Sequence, residues 1–489
     1  MKKILIICSV LMAMTMSCDQ LLDIDPEFTQ DAENFFNTEE DYQRALIGAY
    51  DLMQTAYLQI WIGEIASDNS IAGGESVTDT QGLHDIQNMV HGGENAELRD
   101  VMRFNYTGIA RANYIFEFQD NLDFNGKDKL LAEAAFLRAY YYFNLVTYFG
   151  DMPLIVDRRI AISEIQRIDR TPKEQIYAQI EADLNRAINT LNWTDPETGR
   201  ITKGAALALL GKVLLYQSKY GEAAQVLDEL ITTNQAGYGL FEDYASLFYV
   251  INQNVNEDVF TIQYSGAQGG DYGCFVCLQG NLAVGFHGIR QYNGPFYADG
   301  NSYNLPTQDL YDYFDPADPR REATILDIEA FIAVQPNPGN INYAIGGGGH
   351  TGYYNNKYIK RADERGLPDD DLTSPLNYRV IRYADVLLMA AEAFARTGND
   401  ARARTELNKV RERVGMPLIN STGQSLINDI LRERRLELSG EGYRFWDLVR
   451  TGQAAQEIEG FQTGKHELFP IPQVEIDLAG GNWRQNPGY

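Results

Sequence analysis

The chain has 489 residues and a formal net charge of −27, so it can bury a large core and is a poor partner for nucleic acid. The same charge disfavours binding to anionic lipid by electrostatics alone. The chain has 30 tyrosines but only 4 tryptophans, and tyrosine suits both helix contacts and surfaces that bind polar ligands.

The first 17 residues are typical of a bacterial export signal of the lipoprotein type. Lys2 and Lys3 precede an apolar run from Ile4 to Met16, which is shorter than the roughly 20 residues that span a bilayer. We predict cleavage before Cys18 and acylation of that cysteine, although Thr15 stands where such signals usually carry leucine. Residues 1–17 are therefore predicted to be a signal peptide, and the mature chain, residues 18–489, a lipid-anchored domain.

Helical periodicity dominates the sequence on both sides of residues 232–376. Asn37 or Thr38 is a candidate cap for a helix through Tyr50, and Gly150 is expected to end a second helix that carries Leu137.

Two segments carry the residue offsets of tetratricopeptide repeats. Leu210-Gly211-x2-Leu214 is followed by Ala223-x3-Leu227, and Ala390-Ala391-x2-Phe394 is followed by Ala403-x3-Leu407. The small residues let paired helices approach closely. We therefore predict a mostly α fold with a tetratricopeptide-like scaffold of helical pairs over residues 18–231 and 377–489.

Residues 232–376 are rich in Gly, Asn, Tyr and Asp and predict a large, loop-rich, partly irregular insertion on the ligand side. The stretch "AIGGGGHTGYYNN" is interpreted as flexible turn material, and residues 62–98 as a second polar, Gly-rich excursion between helices. Cys274 and Cys277 form a single C-x-x-C pair. A small structural disulfide or two free thiols are favoured over redox chemistry, and a zinc site would need a second pair.

Catalytic signatures are missing, which favours a binding protein over an enzyme. The sequence has no H-E-x-x-H motif and no G-x-S-x-G elbow, and "GFQTGK" is too short for a phosphate-binding loop. No cofactor is expected. The acidic run from Asp369 to Asp371 could help to hold a structural calcium ion, but a solvated loop is the simpler interpretation.

Several stretches in the same order resemble the SusD-like (RagB/SusD) family of outer-membrane lipoproteins. They are "CDQLLDIDP", "AEAAFLRAYYYFNLVTYFGDMPLI", "LYDYFDPADPRREATI", "YRVIRYADVLLMAAEAFARTGN", "LRERRLELSGEGYRFWDLVRTG" and the terminal "FPIPQVEIDLAGGNWRQNPGY". The resemblance implies a surface-exposed, lipid-anchored protein that lies over a TonB-dependent, SusC-like barrel transporter. Such proteins capture oligosaccharides, or in some branches peptides, and are not enzymes.

Sugar binding needs flat apolar faces and fixed polar groups, and the loops supply both. No motif of the family fixes these positions, so the candidates come from loop composition. The candidate aromatic platforms and polar ligand residues are Tyr272, Tyr292, Phe296, Tyr297, Asp68, Asn69, His84, Asn88 and Arg290. The lack of tryptophan in residues 232–376 leaves stacking to Tyr and Phe or points to a cargo other than glycan.

The segment "RERRLELSGEGYRFWDLVR" is interpreted as structural. Arg434, Arg435 and Glu437 are expected to form ion pairs across helices, and Phe445 and Trp446 to fill the core. Capture of a glycan remains the main functional hypothesis. The alternatives are capture of a peptide on the same fold, a surface glycosidase, and an adaptor that binds only other proteins.

Overall fold

The computed structural model describes residues 35–366, 368–369 and 372–489. The signal peptide and Cys18 lie outside these ranges, so the cleavage and the lipid anchor stay predictions.

Long helices build most of the described chain. The scaffold helices are α1 (Glu39–Asp51), α2 (Tyr57–Ile65), α3 (Gln81–Gln87), α4 (Ala96–Glu117), α5 (Lys127–Phe149), α6 (Lys173–Thr190), α7 (Lys203–Tyr216) and α8 (Tyr220–Thr233). After short helices α9 (Leu282–His287), α10 (Gln308–Tyr313), α11 (Arg320–Thr324) and α12 (Ile328–Ala333), the scaffold resumes with α13 (Tyr383–Arg396), α14 (Asp400–Arg413), α15 (Gly423–Leu438), α16 (Arg444–Thr451), α17 (Ala454–Glu457) and α18 (Gln473–Leu478).

The predicted ends of two helices are confirmed. Thr38 caps α1 by accepting a hydrogen bond from the Asp41 amide, while the Asp41 carboxylate accepts one from the Thr38 amide. Gly150 follows the last residue of α5 with a φ of +73°, a conformation that favours glycine, and its amide donates to the Val146 carbonyl.

The predicted helical pairs are confirmed, and they form one continuous array. From α4 to α8 each helix packs on the next, and α8 then packs on α13, which contacts α14 and α15. A Cβ atom on Gly211 would lie 2.4 Å from Leu227 Cδ2, which explains the small residue at this crossing. Because α8 packs directly on α13, the helical array is continuous in space even though the insertion separates these two helices in the sequence.

Short two-stranded sheets form within the insertion and also join it to β1 and β8, which lie outside it in the sequence. Strands β1 (Ser70–Gly73) and β5 (Tyr303–Pro306) pair antiparallel, as do β2 (Asp258–Ile262) with β8 (Tyr378–Arg382) and β6 (Ile325–Asp327) with β7 (Tyr353–Asn355). The very short β3 (Ile289–Arg290) and β4 (Asp299–Gly300) pair in parallel. A small second core around Tyr354 and Leu305 supports these strands beside the main helical core.

A buried network of charged side chains ties the insertion to the scaffold. Arg320 of α11 donates to Glu433 at 2.6 Å and to Glu437 at 3.0 Å, both on α15. Glu437 also accepts from Arg382 and Arg413. The side chains of Glu433, Glu437, Arg382 and Arg413 are at most 3% exposed. The cross-helix pairing predicted for this segment is therefore confirmed.

Two neighbours of this network also match the predictions. Arg434 donates to Asp385 on α13 at 2.7 Å, and Arg435 donates to Asp309 at 2.9 Å. Phe445 and Trp446 are buried in the main core. Within the described ranges, no helix combines the length and the apolar character needed to cross a bilayer.

Candidate ligand-binding loops

Strand pairing brings loops from distant parts of the chain together. In the β1–β5 pair Ile71 lies opposite Leu305, so the loop 74–80 after β1 starts beside the loop 291–302 before β5. Residues 343–349 join the same surface, because the Ala344 amide donates to the Arg290 carbonyl at 2.8 Å. We refer to loops 74–80, 264–281, 291–302 and 343–350 together as the loop face.

The glycine run in this surface is a packed element. Added Cβ atoms on Gly346 and Gly348 would lie 2.2 Å from the Gly74 carbonyl oxygen and 2.0 Å from the Gly73 carbonyl oxygen. The Gly347 amide donates to the Glu75 carbonyl at 2.7 Å. The predicted turn is present at residues 347–348, but it is packed, since glycine is needed here for the close approach of two backbones, and the end of the predicted turn segment is strand β7.

A column of aromatic rings links the scaffold to the loop face. Trp61 of α2 stacks on Tyr303 with ring centroids 5.5 Å apart, and Tyr57 contacts Trp61 at 5.0 Å. Tyr57 also contacts Phe275 at 6.3 Å, and Phe275 contacts Tyr272 at 6.2 Å. Trp61, Tyr57 and Tyr303 are buried and Phe275 is half-buried, whereas Tyr272 is 59% exposed, so the column ends in an accessible ring.

His287 fixes the orientation of Trp61 in this column. The Trp61 indole N–H donates to His287 Nε2 at 3.0 Å, so the proton of the neutral imidazole lies on Nδ1, which donates to the Tyr358 carbonyl at 3.0 Å. Burial lowers the pKa of His287 to about 3. The ring is therefore neutral near neutral pH, and the column does not change charge there.

Cys274 and Cys277 form a disulfide beside the exposed end of the column. It closes the short turn that carries Phe275, between Tyr272 and Gln279. Of the alternatives that the sequence left open for this C-x-x-C pair, the structural disulfide is the one observed.

Asp68 and Asn69 are held by arginines from the end of the chain. The Asp68 carboxylate pairs with Arg444 at 2.8 and 2.9 Å and with Arg435 at 2.9 Å. Asn69 is fully buried, donating to Glu64 at 3.0 Å and accepting from Arg435 at 3.0 Å. Both side chains thus connect the start of β1 to helices α15 and α16, and neither offers a free polar group to a ligand.

His84 lies in the middle of α3, and Asn88 directly follows the last residue of this helix. His84 is buried, and its Nε2 atom has no hydrogen-bond partner among the described residues. Asn88 is exposed and uses its side-chain amide to donate to the His84 carbonyl at 2.8 Å. Asn88 therefore stays an untested candidate.

The aromatic candidates divide into two buried and two exposed rings. Tyr292 and Tyr297 lie in the second core, and burial raises the pKa of Tyr292 to about 12. Phe296 is 64% exposed and has a φ of +68°, which is unusual for a bulky residue and marks a strained, exposed position. Tyr272 and Phe296 are therefore the predicted platforms whose rings a ligand can reach.

Arg290 forms an ion pair with a residue that the sequence did not single out. Its guanidinium lies 3.0 Å from the Glu75 carboxylate, whose side chain is 68% exposed. The Glu75 amide donates to Asp79 at 3.0 Å, which orders the loop. An exposed pair of this kind contributes about 0–1 kcal/mol, so a ligand hydroxyl can compete for either partner at little cost. The sequence did not single out Glu75, because its partner Arg290 lies 215 positions further along the chain.

The calcium hypothesis concerns residues that are only partly described. Asp370 and Asp371 lie outside the described residues, while Asp369 accepts hydrogen bonds from Thr373 at 2.7 Å and from the amides of Gly270 and Leu372. Among the residues described, no cluster of three or more His, Cys, Asp or Glu side chains could hold a metal ion. Calcium at this loop stays an untested prediction.

Two family models together match most of the chain. The model described as "SusD family" matches residues 232–489, and the model described as "Starch-binding associating with outer membrane" matches residues 20–215. Among curated proteins, SusD-like protein P2 of Formosa agariphila is 30% identical over 100% of both chains.

Solved structures agree with this assignment. A laminarin binding SusD-like protein is 36% identical with a TM-score of 0.85, over 92% of this chain and 100% of that chain. Surface glycan-binding protein A from Bacteroides thetaiotaomicron, in complex with laminarihexaose, is 26% identical with a TM-score of 0.82, over 92% of this chain and 99% of that chain. The protein therefore belongs to the SusD family.

Proposed function

We propose that this protein is a cell-surface binding protein that captures oligosaccharides or polysaccharide fragments and delivers them to a TonB-dependent, SusC-like transporter in the outer membrane. The observation that carries the proposal is the likeness, at 36% identity and a TM-score of 0.85, to a protein described as laminarin binding. A β-glucan of the laminarin type is accordingly the first ligand to test.

The chemistry of the loop face supports a glycan. Tyr272 offers an accessible ring at the end of a rigid column, and Phe296 offers a second exposed ring. Glu75 and Arg290 present polar groups that can exchange their mutual contact for sugar hydroxyls. Flat apolar faces and fixed polar groups on ordered loops are what recognition of a pyranose requires.

The proposal includes a lipid anchor on Cys18 and no catalytic role. The anchor rests on the signal-like start of the sequence and on the family description that names the outer membrane. A binding role, as opposed to a glycosidase, rests on the names of the relatives, which describe glycan binding. A panel of glycans incubated with the purified protein, with products separated by chromatography, tests for hydrolysis.

Isothermal titration of the purified protein against a panel of polysaccharides tests the binding role. We expect saturable binding to at least one glycan and about tenfold weaker binding by Tyr272→Ala, since loss of one stacked ring is worth about 1.4 kcal/mol. Tyr220→Ala, which removes a half-buried ring from the start of α8, is the matched control and should bind as the unmodified chain does. Absence of binding to every glycan, together with a peptide found by mass spectrometry in the purified protein, would favour peptide capture instead.

A further inference from the structure

A polar groove lies on the scaffold, outside the loop face. It has a volume of about 440 Å³ and runs between the connection 193–202, which joins α6 to α7, and strand β2. A second cavity of about 260 Å³ continues it on the other side of residues 197–200 and shares Thr261 and Gln263 with it. The volume of the first part falls within the roughly 300–1,000 Å³ that is usual for small-molecule sites.

The charged side chains that line the groove are all paired, partly with residues behind its wall, and Asp258 is paired with Arg379 at 2.5 Å. Arg200 donates to Glu197 at 2.8 Å and lies 3.5 Å from Glu133, while Asp195 pairs with Lys129 at 2.5 Å. Among the described residues that line the groove, no unpaired cluster of one sign is therefore available to attract a phosphate or an amine. The remaining lining is neutral and polar, and it includes Thr194, Thr198, Thr202, Asn254, Asn256 and Gln263.

Two aromatic rings border the same groove. Trp193 and Tyr238 are both half-buried, with the Lys203 ammonium 5.7 Å from the Trp193 ring centroid. The other three tryptophans of the chain, Trp61, Trp446 and Trp483, are all buried. The groove therefore combines an accessible indole with hydroxyl and amide groups, which is the chemistry that binds sugar rings.

Two buried polar atoms in this region have no hydrogen-bond partner among the described residues. They are Thr261 Oγ1, in the wall shared by both cavities, and Gln54 Oε1, in the wall of the second cavity. An unpaired buried polar atom costs about 1–3 kcal/mol, so a ligand hydroxyl that reaches either atom gains a favourable contact.

The groove also leads toward the loop face. Gln279 lines the second cavity, lies two residues after Cys277 and donates to Asp51 at 3.3 Å. Its carbonyl accepts a hydrogen bond from the Ser265 amide at 2.7 Å, so it belongs to the same loop, 264–281, that carries Tyr272.

We propose that this groove is a second carbohydrate subsite, with Trp193 as its stacking platform, which a neutral glycan polymer occupies while it also contacts the loop face. The inference rests on the proposed function, because it needs a glycan ligand. A polymer that reaches both places binds more tightly than a short oligosaccharide, since its second contact is intramolecular.

The test compares a long with a short ligand, laminarin with laminarihexaose, by isothermal titration. Trp193→Ala should weaken laminarin binding about tenfold, which corresponds to about 1.4 kcal/mol, and change laminarihexaose binding by less than about twofold. Asn256→Trp, at an exposed position in the groove, should give the same selective loss by filling it. Asn185→Trp on the exposed side of α6 is the matched control and should change neither affinity.

Intrinsic fluorescence gives a direct second measurement. Because Trp193 is the one tryptophan that is not buried, laminarin should shift the tryptophan emission of the unmodified chain, and Trp193→Phe should abolish the shift while it keeps a stacking ring. The second subsite is refuted if Trp193→Ala and Asn256→Trp bind laminarin with the affinity of the unmodified chain. It is also refuted if both variants lose affinity for laminarin and laminarihexaose to the same extent. In either case the proposed function stands. If the unmodified chain binds no glycan in the wider panel, the proposed function fails and the subsite fails with it.

Discussion

Replacing Glu437 by glutamine removes the anion at the centre of the buried charge network. The Glu437 carboxylate accepts from Arg320 at 3.0 Å and also from Arg382 and Arg413, and all of these groups are at most 3% exposed at their side chains. Removing one partner of a buried ion pair typically costs about 3–5 kcal/mol, because the other charge stays desolvated. With three guanidinium groups around it, Glu437→Gln should lose at least that much of the free energy of unfolding.

Urea unfolding followed by circular dichroism measures this loss. The loss is calculated from the shift in the urea concentration at the unfolding midpoint, provided that the dependence of the free energy on urea is unchanged. Glu40→Gln is the matched control, since Glu40 pairs with Arg44 on the exposed surface of α1 and its loss should cost less than about 0.5 kcal/mol. A loss for Glu437→Gln no larger than that of Glu40→Gln would refute the view that the network fastens the insertion to the scaffold.

The pH dependence gives the same network a second test. Burial alone would raise the pKa of Glu437, but Arg413, Arg382 and Arg320 outweigh it and hold that pKa well below the usual range. The stabilisation is therefore fully present above the unfolded carboxyl pKa of about 4.3 and is lost as the pH falls below it. The stability difference between the unmodified chain and Glu437→Gln should be constant from neutral pH to about pH 5 and shrink below about pH 4.

Three further changes have defined outcomes. Gly346→Ala places a Cβ atom 2.2 Å from the Gly74 carbonyl oxygen and should weaken glycan binding by isothermal titration, whereas Gly339→Ala, with no neighbour within 4 Å, should not. Gly211→Leu overpacks the α7–α8 crossing and should lower the free energy of unfolding by about 1–3 kcal/mol in urea. Cys18→Ala should fold and bind glycan but leave the membrane fraction of cells that lack the barrel partner, and its retention there would contradict the lipid anchor.

The helical scaffold is predictable from the sequence because its determinants are local. Thr38 and Asp41 cap a helix within one turn, and Gly211 and Leu227 are spaced as two packed helices demand. The core residues Phe445 and Trp446 follow from helical periodicity in the same way. These features depend on residues that are close together in the sequence, so they can be predicted without knowing the tertiary fold.

The loop face is less predictable because its contacts join distant parts of the chain. Asp68 pairs with Arg444 across 376 positions, and Gly346 packs against Gly74, which comes much earlier in the sequence. Composition marked Tyr272 and Tyr297 as equal candidates, yet one is exposed and the other fills a core that only the folded strands create. Trp193 was not predicted because it lies in a short helix connection, outside the Gly-rich loops whose composition indicates ligand platforms.

Amide hydrogen exchange with and without laminarihexaose tests the central claim, glycan capture at the loop face, most directly. Binding should slow exchange in segments 74–80, 264–281 and 343–350, and Tyr272→Ala should remove that protection at the same ligand concentration. Exchange in the scaffold helix α14, far along the array from these loops, should not change. Protection confined to scaffold helices, with none in the loop segments at saturating glycan, would contradict the account.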